Sequence, residues 1–279
     1  MDFRRIEWIF FVVFLGLDLF LFGIYHEGIK NGTQVSRTDR TETIEHRLKK
    51  DNITYKGKLS TKKQTGYYLG AEQTNFKELT NEKNLPKTVN TIEDNLLIGT
   101  PLKNFFIDEK NVKNSLKPFL KDSTIILNGL EYVYLPDFSV FKKDTAELIA
   151  SQQYKKIPFY DDTAQLTISL EKTDDLMKIS KYSQMHTDKI EELRDKVELY
   201  SKKEIIENLY MNNKIPNNTQ LTFIKLAYSK IYKIHEKNVY VPVWFVGIKT
   251  SDGNLQVEHI NAISNTIITN NSIPKVENH

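Results

Sequence analysis

The chain has 279 residues, no cysteine, and a formal charge of +3 from 39 Lys and Arg against 36 Asp and Glu. Without cysteine there are no disulfides, no thiol nucleophile and no Cys-ligated zinc, so the fold must rest on its own apolar core. Charges of both signs are mixed along the chain as on an ordinary solvated surface. No dense basic block of the kind a nucleic-acid partner requires is present.

The first predicted element is a membrane helix. From Ile6 to Ile24, nineteen residues contain no Lys or Arg, and only Glu7 and Asp18 carry charge. At about 1.5 Å per residue this helix is roughly 28 Å long, the thickness of a bilayer's hydrocarbon core. Nothing like it recurs downstream, which predicts a single N-terminal transmembrane span. Arg4 and Arg5 precede it, whereas the next fifteen residues hold only Lys30 and Arg37. The positive-inside bias therefore assigns Met1–Arg5 to the cytoplasm and the bulk of the chain to the outside. A cleaved signal peptide would share the basic start, but its apolar core runs about 7–15 residues and ends at small residues. Here the longer run meets Tyr25-His26-Glu27-Gly28-Ile29, which favours an uncleaved anchor.

Asp18 is the unusual residue of that helix, because a carboxylate near mid-bilayer costs about 2.5–3.5 kcal/mol on insertion scales. At helical spacing Glu7, Phe11, Phe14, Asp18, Phe22 and Tyr25 line one stripe, with Gly16 and Gly23 on nearly the opposite face. Two readings are open. The stripe and the small residues contact partner helices, or Asp18 sits close enough to the outer surface to be tolerated. The first makes Phe11, Phe14, Gly16, Asp18, Phe22 and Gly23 a candidate helix–helix interaction set.

Residues 25–40 read as a polar juxtamembrane linker, followed by a helix over Thr41–Lys50 with Ile44 and Leu48 four apart. Strands are predicted at Tyr55–Leu59, Gly66–Glu72 and Thr91–Ile98, with Gln73–Asn90 as loop. Glu109–Lys121 has helical spacing interrupted by Pro118, which kinks the helix or delays its start. Asn128-Gly129 predicts a hairpin between Thr124–Leu127 and Leu130–Leu135. A helix over Lys142–Gln153 and an alternating strand over Gln165–Leu170 follow. Asp161-Asp162 and Asp174-Asp175 read as solvated turns, since the EF-hand spacing is missing. From Ile179 the pattern reads as helical. Ser201-Lys202-Lys203-Glu204 is a capping-box sequence opening a helix whose buried face is Ile205, Ile206, Leu209 and Tyr210, with Asn212-Asn213 as its stop. Strands are then expected at Gln220–Tyr228, Ile231–His235 and Val239–Lys249, the last an edge or bulged strand because of Pro242. Ser251-Asp252-Gly253-Asn254 predicts a turn into Leu255–Ile260, and Asn261–Asn265 another before Thr266–Thr269. The expected fold class is α+β: antiparallel sheets with packed helices in two related subdomains, 41–183 and 184–279.

No catalytic constellation emerges from the sequence. The histidines, His26, His46, His186, His235, His259 and His279, form no HExxH or other close metal spacing. GxSxG, GxxxxGKS/T and GxGxxG are absent. His235 reads as a polar strand end and His259 as a sheet histidine. No enzyme activity, cofactor or metal is expected. A wall hydrolase built on distant carboxylates stands as the weakest of three readings.

Several stretches together resemble one known family. They are Gln153-Tyr154, Ile157-Pro158-Phe159-Tyr160-Asp161-Asp162, Leu166-Thr167-Ile168-Ser169-Leu170, Ile179-Ser180-Lys181-Tyr182-Ser183-Gln184, Ile205-Ile206-Glu207-Asn208-Leu209-Tyr210, Ile215-Pro216 and Tyr240-Val241-Pro242-Val243-Trp244-Phe245-Val246. With the start Met1-Asp2-Phe3-Arg4-Arg5 and Leu17-Asp18-Leu19-Phe20-Leu21, they make the chain similar to the YycI (WalI) family. Residues 60–115 are the least similar, and Asp18 stands where a milder polar residue such as Asn is expected. The resemblance implies a membrane-anchored accessory protein of the YycFG (WalRK) two-component system in low-GC Gram-positive bacteria. It also implies an extracytoplasmic α+β domain, and association with a YycH-like companion and the sensor histidine kinase YycG (WalK). The family has no catalytic residues to carry over. By analogy, 239–269 is similar to a PepSY-type hairpin.

The leading expectation is a regulator that biases the kinase through helix contacts. A second is an extracytoplasmic binding module for an envelope component, with Tyr154, Phe159, Tyr160, Tyr240 and Trp244 as pocket or core residues. An exposed aromatic groove would favour the module.

Overall fold

The structure is a computed structural model that describes residues 8, 11, 13–22, 42–81, 88–174 and 176–268. The chain forms two units, Met1–Asn52 and Ile53–His279. In the first, residues 13–22 are helical, as are Trp8 and Phe11. No helix among the described residues is long and apolar enough to cross a membrane. The rest of the anticipated span lies outside the described residues, as do Arg4, Arg5, Gly23 and the 25–40 linker. Helix α1 (Ile44–Lys50) follows Thr43 in extended conformation and puts Ile44 and Leu48 on one face.

The second unit is built from two large, mainly antiparallel sheets. Its elements run β1 (Thr54–Tyr55), β2 (Gln64–Gly66), β3 (Leu69–Gln73), α2 (Phe76–Asn81), β4 (Val89–Glu93), β5 (Leu96–Gly99), β6 (Phe106–Ile107), α3 (Val112–Ser115) and α4 (Lys117–Lys121). Then come β7 (Tyr132–Tyr134), β8 (Val140–Phe141), β9 (Thr145–Tyr154), β10 (Ile157–Pro158), β11 (Gln165–Thr173), β12 (Leu176–Gln184), β13 (Thr187–Glu192) and β14 (Val197–Leu199). Helix α5 (Lys202–Met211) leads into β15 (Gln220–Ile234), β16 (Lys237–Lys249) and β17 (Leu255–Asn261). A nine-stranded sheet has the order β10-β9-β11-β12-β5-β4, with β7 and β8 also on β9 and β6 on β12. A six-stranded sheet has the order β1-β15-β16-β3-β13, with β17 also on β16; β14 pairs with β2 separately. The mixed α+β class, dominated by antiparallel sheets with few helices, agrees with the sequence.

The nine-stranded sheet owes its core to strict alternation. On β11, Leu166, Ile168 and Leu170 are buried opposite Ala150, Leu148 and Ala146 of β9. Leu97, Leu116, Phe119 and Tyr182 complete that core. In the six-stranded sheet, β15 and β16 form a hairpin closed at His235-Glu236, with Ile234 opposite Lys237. The capping box at α5 is present in full: Ser201 Oγ accepts from the Glu204 N–H, and Glu204 accepts from the Ser201 N–H at 2.7 Å. Ile205, Ile206 and Leu209 are buried, whereas Tyr210 is half-buried.

Several expectations are corrected. The segment expected as helix 142–153 is β9, flanked by β11 on one side and by β7, β8 and β10 on the other. The helical reading from Ile179 gives way to β12 and β13. A bulge there skips Ser180, pairing Leu170 with Ile179 and Ser169 with Lys181. Ile179 and Tyr182 are thereby both buried at a spacing of three, which imitates a helix. Asn128 does take the left-handed turn conformation (φ 51°). Tyr132–Tyr134, however, pairs with β9 rather than folding back on 124–127. Within the expected loop 73–90, Asn75 caps α2 by accepting from the Lys77 N–H at 3.0 Å. Residues 109–121 split into two short helices around Leu116, with Pro118 in the first turn of the second.

Pro242 is on a central strand, not an edge. Its partner Tyr228 turns its carbonyl away to accept from the Tyr160 N–H at 2.7 Å, so the Tyr228–Pro242 pair is not hydrogen-bonded. Pro242 therefore faces the other edge of β16, where pairing with β3 ends at Tyr240–Leu69 and pairing with β17 begins at Val243–Asn261. A missing N–H is tolerated at that break, and the Pro242 carbonyl accepts from Ala262 at 2.9 Å.

A seam of buried polar groups joins the two sheets. Gln152 of β9 accepts from the Thr187 N–H at 2.8 Å and donates to the Thr187 carbonyl at 2.9 Å. Gln73 donates to the carbonyls of Thr163 and His186. Asp161, expected in a solvated turn, is buried. Its carboxylate accepts from the N–H groups of Thr163 and Lys230, both at 2.8 Å. Burial pushes its pKa up, and those hydrogen bonds pull against it. Buried His186 bonds Thr74 through Nδ1 (2.7 Å) and Glu131 through Nε2 (3.1 Å).

The Glu204 carboxyl is held below its ordinary pKa by the Ser201 hydroxyl and N–H, against a smaller opposing effect of burial. A depressed folded-state value stabilises above the unfolded pKa of about 4.3, and the gain disappears as pH falls through the folded value. Glu204→Ala is expected to lower stability by about 0.5–2 kcal/mol at pH 7. Denaturant midpoints of the two proteins should converge toward pH 3; a gap independent of pH would contradict the assignment.

Candidate interaction surfaces

The helical residues of the first unit carry large apolar side chains on every side. Phe11, Phe14 and Phe22 are each about 60% exposed, and Leu15, Leu17, Leu19 and Phe20 on other faces are at least half exposed. Trp8 and Phe11 meet edge to face at 6.1 Å. Helical spacing sets Phe11, Phe14, Asp18 and Phe22 along one stripe, and Asp18 is exposed. A Cβ added at Gly16 would meet nothing within 4 Å. Of the candidate set, Gly23 alone lies outside the described residues.

The aromatic candidates of the second unit separate into core and rim. Phe159 is fully buried, tilted on Tyr228 at 5.4 Å and edge-on to Tyr240 at 5.0 Å. Trp244 is buried and donates its indole N–H to the Tyr200 carbonyl at 2.9 Å. Tyr160 is half-buried and stacks on Phe138 at 3.6 Å. These four rings are internal packing. Tyr154 is on the rim, edge-on to Tyr67 at 6.2 Å, with its hydroxyl donating to Glu192 at 2.9 Å. Lys155 lies over the Tyr67 ring at 4.2 Å and pairs with Glu192. That pairing, with the Tyr67 hydroxyl, holds the Lys155 ammonium above its ordinary pKa and the Glu192 carboxyl below its own.

The concavities of this unit differ in chemistry. One of about 420 Å³ beside the β15–β16 turn is lined by Gly70, Leu193, Ile234 and Val239 among others. Another, of about 380 Å³, is lined by Glu131, Gln152, Tyr154 and Thr187 among others. No group of three or more His, Asp or Glu able to hold a metal occurs among the described residues. His259 is buried edge-on to Phe245 at 4.8 Å, and His235 sits in the turn.

These features define the class: an α+β domain of two joined sheets, in a chain that also bears an apolar, exposed N-terminal helix. Residues 31–263 match the family model described as YycI protein, and the chain belongs to that family. The family's role is regulatory, in the YycFG two-component system. No curated protein matches. Nine solved chains do, among them an uncharacterized protein from Eubacterium rectale ATCC 33656. It is 10% identical at a TM-score of 0.50, over 78% of this chain and 91% of that one. At that identity the likeness shows the fold alone.

Truncation separates core from rim. Phe159→Ala is expected to cost about 3–5 kcal/mol, and Tyr154→Ala no more than about 1 kcal/mol. Equal losses in chemical denaturation would make Tyr154 part of the core.

Proposed function

We propose that the chain is a single-pass membrane protein that modulates the sensor histidine kinase YycG (WalK) together with a YycH-like companion. Met1–Arg5 is cytoplasmic, Ile6–Ile24 spans the membrane and the remainder is extracytoplasmic. Contacts in the membrane and outside it both contribute, with the helix as the working element. The observation that carries this reading is the exposed helix of residues 13–22. A helix that is apolar all round is stable only within lipid or among other helices. A binding partner shifts a two-state kinase only by interacting differently with its two states. A lateral stripe of Phe11, Phe14, Asp18 and Phe22 offers such an interaction, since a carboxylate in lipid gains from a hydrogen-bonding neighbour.

The rival reading, a binding module for an envelope component, relied on an exposed aromatic groove. The burial of Phe159, Tyr240 and Trp244 weighs against that form of it.

Single cysteines test the helix directly, because the chain has none. Cysteines replacing Phe11, Phe14 or Phe22 should crosslink in membranes to the kinase or the companion, whereas one replacing Leu17, between the stripe and the glycine face, should not. Asp18→Leu should weaken co-purification roughly 3- to 30-fold, the value of an interhelical hydrogen bond. Deleting residues 1–30 and exporting the rest should abolish regulation. Full regulation by the exported domain would refute the helix-based mechanism.

A further inference from the structure

Four lysines from three separate parts of the chain surround one cavity of the second unit. The cavity, about 180 Å³, is lined by Lys56, Lys58, Lys202 and Lys225, and Asp137 is the one carboxylate among its lining residues. Local structure fixes each position. Thr54 and Tyr55 pair in parallel with Gln220 and Leu221, which docks β1 against the start of β15. Gly57, in the left-handed region at φ 83°, then turns the chain between Lys56 and Lys58. Lys202 is the first residue of α5, directly after the Ser201 cap, and the next residue's N–H bonds the Ser60 carbonyl at 3.2 Å. Lys225 projects from β15.

The charges in this cavity do not balance. Asp137 pairs with Lys225 at 2.9 Å. Among the described residues no carboxylate pairs with Lys56, Lys58 or Lys202. Lys202 is the costly member. Burial, then the charge of Lys225, push its ammonium below the ordinary lysine pKa, with Asp137 pulling the other way. It also occupies the first position of a helix, where the macrodipole disfavours a cation. The Trp244 ring, 5.9 Å from its Nζ, compensates in part. A chain whose charges are otherwise nearly balanced has here concentrated like charge where stability opposes it.

We propose that this cavity is a binding site for a phosphate group, as a monoester or diester. Three unpaired ammonium groups match best the charge of about −1.5 to −2 on a phosphate monoester; a diester, singly charged like a carboxylate, is favoured over it by shape alone. Lysines without an arginine act as point charges, which suits a tetrahedral oxyanion that accepts from several directions. The volume accommodates one such group with a few waters of about 30 Å³ each. The site lies wholly within residues 53–279 and does not depend on the membrane reading.

The test uses the full chain in neutral detergent with its lysines dimethylated in ¹³C, a change that keeps their charge. Titration with inorganic phosphate should give saturable shifts at the Lys58 and Lys202 signals, assigned by Lys58→Gln and Lys202→Gln. Sodium chloride at matched ionic strength should not reproduce them. Lys63, which pairs with Glu198 outside the cavity, should stay unmoved. Exposed Lys58→Gln should weaken binding about fivefold, and the Lys58→Gln/Lys202→Gln double variant more than tenfold. Lys202→Arg, which keeps the charge, should bind within about threefold of the parent. Glycerol 1-phosphate acting at the same lysines identifies a soluble phosphate ester as the source. A response confined to phosphatidylglycerol in phosphatidylcholine nanodiscs identifies a lipid headgroup. Shifts that chloride reproduces, or affinity unchanged in the double variant, overturn the proposal.

Discussion

Burial of β16 is the constraint on which the folded unit depends. From Asn238 to Ile248 every residue of the strand is buried. An antiparallel sheet commonly leaves one face to solvent, but here both are covered. On one face Val241, Val243 and Phe245 pack with Phe223 and Ala227. On the other, Trp244 reaches the Tyr200 carbonyl just before α5. The strand also has neighbours along both edges: β15 on one side, and β3 then β17 on the other. With no disulfide available, this doubly covered strand is what holds residues from the 50s, 60s, 220s and 250s in one sheet. Packing is close at Gly247, where a Cβ would come within 2.5 Å of the Phe223 ring.

The seam between the sheets follows from the same topology. The nine-stranded sheet takes its strands from residues 89–184, in the middle of the chain, and the six-stranded sheet takes those before and after. The chain must therefore cross between sheets twice, after Gln73 and after Gln184, and both crossings bury backbone groups. At the second crossing the side chains of Gln73 and Gln152 satisfy backbone groups of His186 and Thr187, and nearby Asp161 holds the N–H groups of Thr163 and Lys230. Such bonds add little net stability, but leaving a buried N–H or C=O unpaired costs about 1–3 kcal/mol. They therefore fix one arrangement of the sheets more than they strengthen it.

Where a signal was local, it was legible. The capping box at Ser201–Glu204, the turn at Asp252-Gly253 and the alternation of Leu166, Ile168 and Leu170 are each complete within a few residues. What misled depended on distant partners. Thr145–Gln153 is rich in Ala, Glu, Leu and Gln, which favour helix, yet strands on both sides make it a sheet centre. The bulge at Ser180 gave a strand the spacing of a helix. Pro242 looked like an edge marker because nothing in the sequence reveals where one neighbour of β16 replaces another. Asp161-Asp162 looked solvated because burial of Asp161 requires the Lys230 N–H, 69 residues away. The lysine cavity was invisible for the same reason: Lys56, Lys58, Lys202 and Lys225 carry no common motif, and the β1–β15 pairing assembles them.

The lysine cavity and the N-terminal helix are connected through the chain itself. The lining residues Tyr55, Lys56, Lys58 and Leu59 fall within the first seven residues of the second unit. Buried Ile53 and Leu59 anchor the segment on either side, while β1 between them contributes only two residues to the sheet and pairs on one side alone. A two-residue parallel pairing is weak on its own terms, and three unpaired ammonium groups around it repel one another. An anion bound among them would replace that repulsion with attraction and tighten the attachment of β1 to β15.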